Sequence, residues 1–235
     1  LEYIDDDRTH GLFLIVLAKL RTNNRFLRDK FLIELLSDII IKILNSAQKT
    51  NNYYIAKNCL ILSQTFFYYD DPEKTNKIYI SNYIRNHPWL KSIGFWGDFV
   101  LRQILAEFQK LEERNKQYDK MIISLKKNVP ENLKSRIGEV LFSQILPYVG
   151  NMKEVSVDKK IVIKVVETIL EKYPYVAENN RAEIYKMICT PEELDKIKEE
   201  INNDEELKNF KLNVEIVKEF NKNKKYIDED DYDDY

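Results

Sequence analysis

Two cysteines, two histidines, five glycines and six prolines are all that 235 residues hold of the types that build disulfide frameworks, metal centres and tight turns. A small disulfide scaffold needs more cysteines in a much shorter chain, so Cys59 and Cys189 point to a reducing compartment. With His10 and His87 they are also the whole supply of soft or imidazole ligands, and no two stand at the close spacing zinc sites use. No metal and no cofactor is therefore expected. The same scarcity disfavours a Ser/His/Asp or Cys/His engine, and the scattered glycines form no phosphate-cradling loop. Charge of one sign is lacking too: a formal net charge of -2 gives no reason to expect nucleic acid as the main partner. The longest uninterrupted apolar run, Leu12 to Ala18, is far short of the roughly 20 residues that span a bilayer, so no transmembrane segment is expected. It follows Asp5-Asp6-Asp7 rather than a basic segment, which argues against a signal peptide. A cytoplasmic protein is the expectation. The chain starts at Leu1 without Met, as a fragment of something longer does.

What is present favours helices. A hydrophobic fraction of 44% with 32% charged residues is ordinary for a globular chain, and the low glycine and proline content suits long helices with short connections. The expected fold class is all-α: a single-domain orthogonal or HEAT-like bundle of about eight to ten helices, burying roughly 70–75% of its unfolded surface. The domain is placed at residues 1–221, with a main core over about 10–190 and accessory helices over 191–221. Residues 222–235 are placed as an acidic tail, expected to be disordered because Tyr226 to Tyr235 hold six acids in ten residues and no basic one. That tail lacks the alternating ligands and the glycine of a calcium loop.

The bundle is expected to form around one inner helix from Ile55 to Tyr69. Ala56, Cys59, Leu60, Ser63, Phe66 and Phe67 share one of its faces, while Ile55, Leu62 and Tyr69 form a second apolar line, so it needs neighbours on both sides. Before it, Leu12 to Leu20 reads as a short buried helix and Phe26 to Leu44 as a core helix. After it, Asp71-Pro72-Glu73 has the form of a helix start, leading to a helix up to about Asn86. Ile93, Trp96, Val100, Ile104 and Phe108 mark the next helix, followed by a polar arm over 109–127. Leu133 to Val149 form an amphipathic helix ending at Gly150, and a helix capped by Ser156 carries Ile161 to Leu170 until Pro174. A short helix from Asn180 to Ile188 and the capping box Thr190-Pro191-Glu192-Glu193 complete the pattern.

Two constellations are candidate sites. His87-Pro88-Trp89-Leu90 breaks the helical pattern just before Phe95, Trp96 and Phe99. The constellation reads first as a core plug and otherwise as a hot-spot surface; in the second reading Trp96 stays in the core, and His87, Trp89, Leu90 and Phe95 are the candidate partner-binding residues, since loop residues often carry recognition. Arg21, Arg25 and Arg28, beside Lys30, form a basic patch that suits phosphate or an acidic partner, or is simply a solvated face. The acid pairs Asp70/Asp71 and Glu112/Glu113 are not read as catalytic, because neighbouring residues on a helix do not face each other. No catalytic residue is named.

Ala56-Lys57-Asn58 before an apolar run and Phe66-Phe67-Tyr68, then Lys77-Ile78-Tyr79, Pro88-Trp89, and Phe95-Trp96 with Phe99, resembles the helical region of SET-binding factors. These are myotubularin-related pseudophosphatases with a DENN domain, and small stand-alone cytosolic proteins share the region. Val140-Leu141-Phe142-Ser143-Gln144 and the helix around Ile161 to Ile169 look like the continuation of the stand-alone members. The resemblance covers roughly residues 10–190 and implies an all-helical, non-enzymatic module in signalling or membrane-traffic scaffolds, where DENN parts act on Rab GTPases. No DENN or phosphatase segment is found here, so neither activity carries over. The expected function is a protein-interaction or scaffold module with a protein partner, reaching a membrane only through that partner or flanking segments. The alternative is a helical-repeat-like module that binds RNA or anionic lipid through its basic groups.

Overall fold

The structure, a computed structural model, describes residues 7–22, 25–114 and 131–220. It is all-α with one short hairpin: α1 (Asp7–Leu20), α2 (Lys30–Thr50), α3 (Tyr53–Ser63), β1 (Phe67–Tyr69), β2 (Lys77–Tyr79), α4 (Ser81–Ile84), a 3-10 turn (Pro88–Lys91), α5 (Ile93–Arg114), α6 (Glu131–Glu154), α7 (Lys159–Lys172), α8 (Glu178–Ile188), α9 (Pro191–Asn203), α10 (Glu205–Asn209) and α11 (214–220). Where one domain over 1–221 was expected, the chain divides into two compact units. The first is Leu1–Lys91 with Asn151–Val157, the second Ser92–Gly150 with Asp158–Tyr235. The acidic tail and the greater part of the polar arm lie outside the described residues.

In the first unit α3 has the inner place its two apolar faces require. It packs against α1, α2 and α4, and buries Ile55, Ala56, Cys59, Leu60, Leu62 and Ser63. α2, which packs against it, buries among others Ile33, Ser37, Ile40, Leu44 and Ala47, spaced by three and four. Asp29 caps α2 by accepting from the Phe31 amide at 2.7 Å, and Asn51 ends it in the left-handed region at φ 51°. α2 thus begins at Lys30 rather than Phe26, and Phe31 is left outside at 65% exposure.

The inner helix stops at Ser63 rather than at Tyr69. Hydroxyls of Ser63 and Thr65 bond back to the carbonyls of Leu60 and Ile61, and the aromatic run that follows favours a strand. β1 pairs antiparallel with β2 in the register Phe67↔Tyr79, Tyr68↔Ile78, Tyr69↔Lys77. Tyr68 is buried while Phe67 and Tyr69 are half-buried, the period of two that marks a strand. Asp71 starts no long helix. Its carboxylate accepts from the amides of Thr75 at 3.0 Å and Asn76 at 3.2 Å and closes the hairpin loop, with Lys74 at φ 56°. An Asp-Pro pair serves a turn as well as a helix start, and strand pairing downstream decides between them.

In the second unit α5 carries Ile93, Trp96, Val100, Ile104 and Phe108 inward, as their spacing predicts, and packs against α7. α7 is the middle of this unit, meeting α5, α8, α9 and α10 and burying Val162, Ile163, Val165, Val166, Ile169 and Leu170. Asp158 caps it, accepting from the Lys160 amide at 2.8 Å; Ser156, the expected cap, is a turn residue at φ 53°. α6 runs past Gly150 to Glu154 with Pro147 inside it. The capping box of α9 forms as read: Thr190 Oγ1 accepts from the Glu193 amide at 3.3 Å, and the Glu193 carboxylate accepts from the Thr190 amide at 3.0 Å. The helices after Thr190 are no mere appendage, because Ile197, Ile201, Leu207, Leu212 and Ile216 are buried and α9 packs on α7.

Two glycines of α6 make a matched test of this packing. A Cβ on Gly138 would stand 2.1 Å from the Tyr175 carbonyl oxygen, backbone against backbone, whereas one on Gly150 meets nothing within 4 Å. Gly138→Ala is expected to destabilise by about 1–3 kcal/mol through overpacking, and Gly150→Ala to stabilise by about 0.5–1 kcal/mol by relieving the helical cost of glycine. Urea unfolding of the two variants beside the wild type checks both signs.

Candidate functional site

The residues chosen from sequence for partner binding turn inward. His87 is 5% exposed, Trp89 6% and Leu90 0%. Pro88 opens the 3-10 turn, and its polar demands are met locally: the Leu90 amide donates to the His87 carbonyl at 3.0 Å and the Trp89 amide to His87 Nδ1 at 3.3 Å. The break therefore needs no solvent, and the Trp89 ring packs 5.6 Å from that of Tyr53. An amide only donates, so Nδ1 is an acceptor, the ring is neutral and Nε2–H donates to Asn45 Oδ1 at 3.1 Å. Burial holds the His87 pKa below its ordinary value. Phe95, in the second unit, stacks on Phe99 at 5.3 Å and meets the edge of Trp96 at 5.0 Å, with 2% exposure. None of the four offers a surface to a partner.

The basic patch is better placed. Arg21 is half-buried, and Arg25 and Arg28 are exposed. Phe26, between the last two, forms a parallel bridge with Phe67; the Leu27 amide donates to the Phe67 carbonyl at 2.8 Å, and the Phe67 amide to the Arg25 carbonyl at 3.1 Å. This brings the arginines beside a half-buried ring cluster that sequence spacing did not reveal. Phe26 lies 5.4 Å from Tyr69, Phe67 lies 5.3 Å from Tyr69 and 5.5 Å from Tyr79, and Lys77 Nζ stands 4.7 Å over the Phe67 ring. The hairpin register puts Phe67, Tyr69, Lys77 and Tyr79 on one face.

The feature with the largest physical consequence is α1. Its inner side buries His10, Leu14 and Leu17, and its outer side shows Leu12, Ile15, Val16 and Leu20 at 58%, 54%, 54% and 51% exposure. These four fall at spacings of three and four on one face, which they share with exposed Lys19. Full burial of each would contribute about 1.5–3 kcal/mol; half of that is forgone at four positions, roughly 3–6 kcal/mol in all. Contiguous exposed apolar faces are a feature that protein, membrane and ligand docking sites share. The signal was in the sequence, since Leu12 to Ala18 is apolar at every position and a helix apolar all round needs cover on every side. Reading it as simply buried overlooked that one chain covers only one side.

Within the second unit a groove of about 350 Å³ between α8 and α9 is lined by residues including Tyr185, Cys189, Pro191, Leu194 and Lys198. Of its charged residues, Lys198 is engaged, lying 3.0 Å from Glu167 and over the Tyr185 ring at 5.5 Å. Burial and then the Glu193 carboxylate push the Cys189 thiol pKa up, which makes it a poor nucleophile. Burial pushes the Cys59 thiol up as well. Among the described residues no helix is long and apolar enough to cross a membrane, and no three His, Cys, Asp or Glu side chains gather as a metal set would. The chain matches no protein-family model, no curated protein and no solved structure.

The inward turn has two measurable consequences. Trp89→Ala is expected to cost about 3–5 kcal/mol, as much as Trp96→Ala, because both leave large cavities. Neutral His87 adds a pH dependence whose sign follows from its lowered pKa: unfolding releases the ring to take up a proton, so its contribution is full above the ordinary value of 6.5 and is lost as pH falls below it. Melting temperatures of the wild type and His87→Gln between about pH 7.5 and 5 should converge on acidification. Parallel curves would contradict the assignment.

Proposed function

We propose that the chain is a non-enzymatic, cytoplasmic protein-interaction module serving a scaffold in a signalling or membrane-traffic assembly, the role implied by the resemblance to the helical region of SET-binding factors. The observation that carries this reading is the outer face of α1, where Leu12, Ile15, Val16 and Leu20 remain more than half exposed on a helix whose opposite side is packed. A rigid helical face is pre-organised, so a partner that lays apolar residues on it orders little else. Ile15→Glu with Val16→Glu should leave the helical circular dichroism and melting temperature unchanged, since both positions face solvent, and should abolish capture of the proteins that wild type retains from lysate. Identical captured sets would remove the support for the interaction role.

The arginines beside the hairpin rings favour a second reading, single-stranded nucleic acid stacked on Phe67, Tyr69 and Tyr79 with Arg25, Arg28 and Lys77 at its phosphates. Fluorescence anisotropy with a labelled oligouridine decides it. Three phosphate contacts give a slope of log affinity against log salt of about -2, and Phe67→Ala lowers affinity by roughly 1–3 kcal/mol. No binding with protein up to about 500 μM, past the weaker limit of ordinary non-specific binding, excludes it.

A further inference from the structure

Residues 210–220, an extended stretch followed by α11, lie against α5 as a strap. Phe210 sets its ring on Gly97 in the second turn of α5: a Cβ there would overlap the ring tip, and Cε1 and Cε2 stand 3.3 Å from that point. Only glycine leaves this notch open, and the buried ring contact offsets what glycine loses in a helix. Five residues on, Arg102 Nη2 meets Glu219 Oε2 at 3.3 Å. Between these two contacts Leu212 and Ile216 are buried, whereas Val214 is exposed. The Glu215 amide donates to Asn213 Oδ1 at 3.0 Å and opens the helix.

The strap is weakly held. A helix of two turns does not persist in water alone, so α11 is formed only while it is docked. Its anchors are chiefly one half-buried ring, two buried aliphatic side chains and an ion pair open to water, which adds little. Segments with so few buried anchors open well below global unfolding. We infer that the strap is the built-in occupant of a peptide-docking groove on α5, and that a segment of a partner protein with the same pattern takes its place. That pattern is an aromatic residue, aliphatic residues two and six positions later, and a carboxylate at nine, as in Phe210, Leu212, Ile216 and Glu219. While closed, the strap competes as a tethered segment at an effective concentration in the millimolar range, so the groove is autoinhibited. This surface belongs to the second unit and does not rest on the α1 face in the first.

Hydrogen exchange of the full chain, with fluorescence anisotropy of a labelled synthetic peptide of residues 208–220, tests the inference, and circular dichroism reports folding. In the wild type the amides of 211–220 should exchange about a hundredfold or more faster than those of α7. Phe210→Ala and Gly97→Ala both release the strap further, the first by removing the ring and the second by filling its seat. Only Phe210→Ala leaves the seat open, so that variant should bind the peptide with a Kd of about 100 μM or tighter, and the wild type and Gly97→Ala about tenfold or more weakly. Strap amides that exchange in step with α7, no peptide binding to Phe210→Ala at about 1 mM, or equal binding by Gly97→Ala each overturns the inference. A Phe210→Ala chain that fails to fold overturns it too, because the strap is then part of the core.

Discussion

The first unit depends on one constraint, that α3 is apolar on two sides and must be covered on both. Ala56, Cys59 and Ser63 keep one line of it small, and Ile55 and Leu62 hold another. α2 is long enough to cover its neighbour and still present polar residues to water, with Ile33, Ile40 and Leu44 inward and Asp38 outward. α1 is not. In its middle, Phe13, Leu14, Ile15, Val16 and Leu17 follow one another without a polar residue, so whichever side packs on α3, the other shows hydrocarbon. The demand for burial passes through α3 to α1 and is left unsatisfied at the α1 surface. That unmet burial is what the proposed interaction role of α1 rests on.

The second unit closes the same kind of account internally. α7 is the inner helix here, less apolar than α3, and α5, α8, α9 and α10 all meet it, while its surroundings turn polar through pairs such as Lys159 with Glu193 at 3.1 Å and Lys160 with Glu200 at 3.7 Å. These exposed pairs contribute little to stability. What they supply is an outer layer of charge that α1 lacks.

The larger misreadings fall where pairing across the chain decides, whereas a local one, Ser156 for Asp158 as the cap of α7, misses by two residues. Thr190-Pro191-Glu192-Glu193 is a capping box because all its bonds close within four residues. Asp71-Pro72-Glu73 carries equally good local credentials, yet the segment after it is a strand, since Lys77 to Tyr79 find Phe67 to Tyr69 as partners and no residue near Asp71 announces that. The inner helix failed at its C-terminal end for the same reason: aromatic residues fit a helix face by spacing and a strand by propensity. Trp89 was read as exposed because a proline break usually is; the His87 ring, by accepting the Trp89 amide, supplies what solvent ordinarily supplies. Of the candidate sites, the arginines were visible as charge and the rings as composition, but their juxtaposition arises from the bridge between Phe26 and Phe67.

The proposed role of α1 as an interaction surface is most directly measured by site-specific cross-linking, because both native cysteines are buried and leave the background low. A photoactivatable cross-linker on Val16→Cys stands on the exposed apolar face, and the same label on Tyr54→Cys stands at an exposed position of α3 outside it. Cross-linked protein bands from position 16 with none from position 54 are the result the account predicts. Equal bands from both positions, or none from either, contradict it.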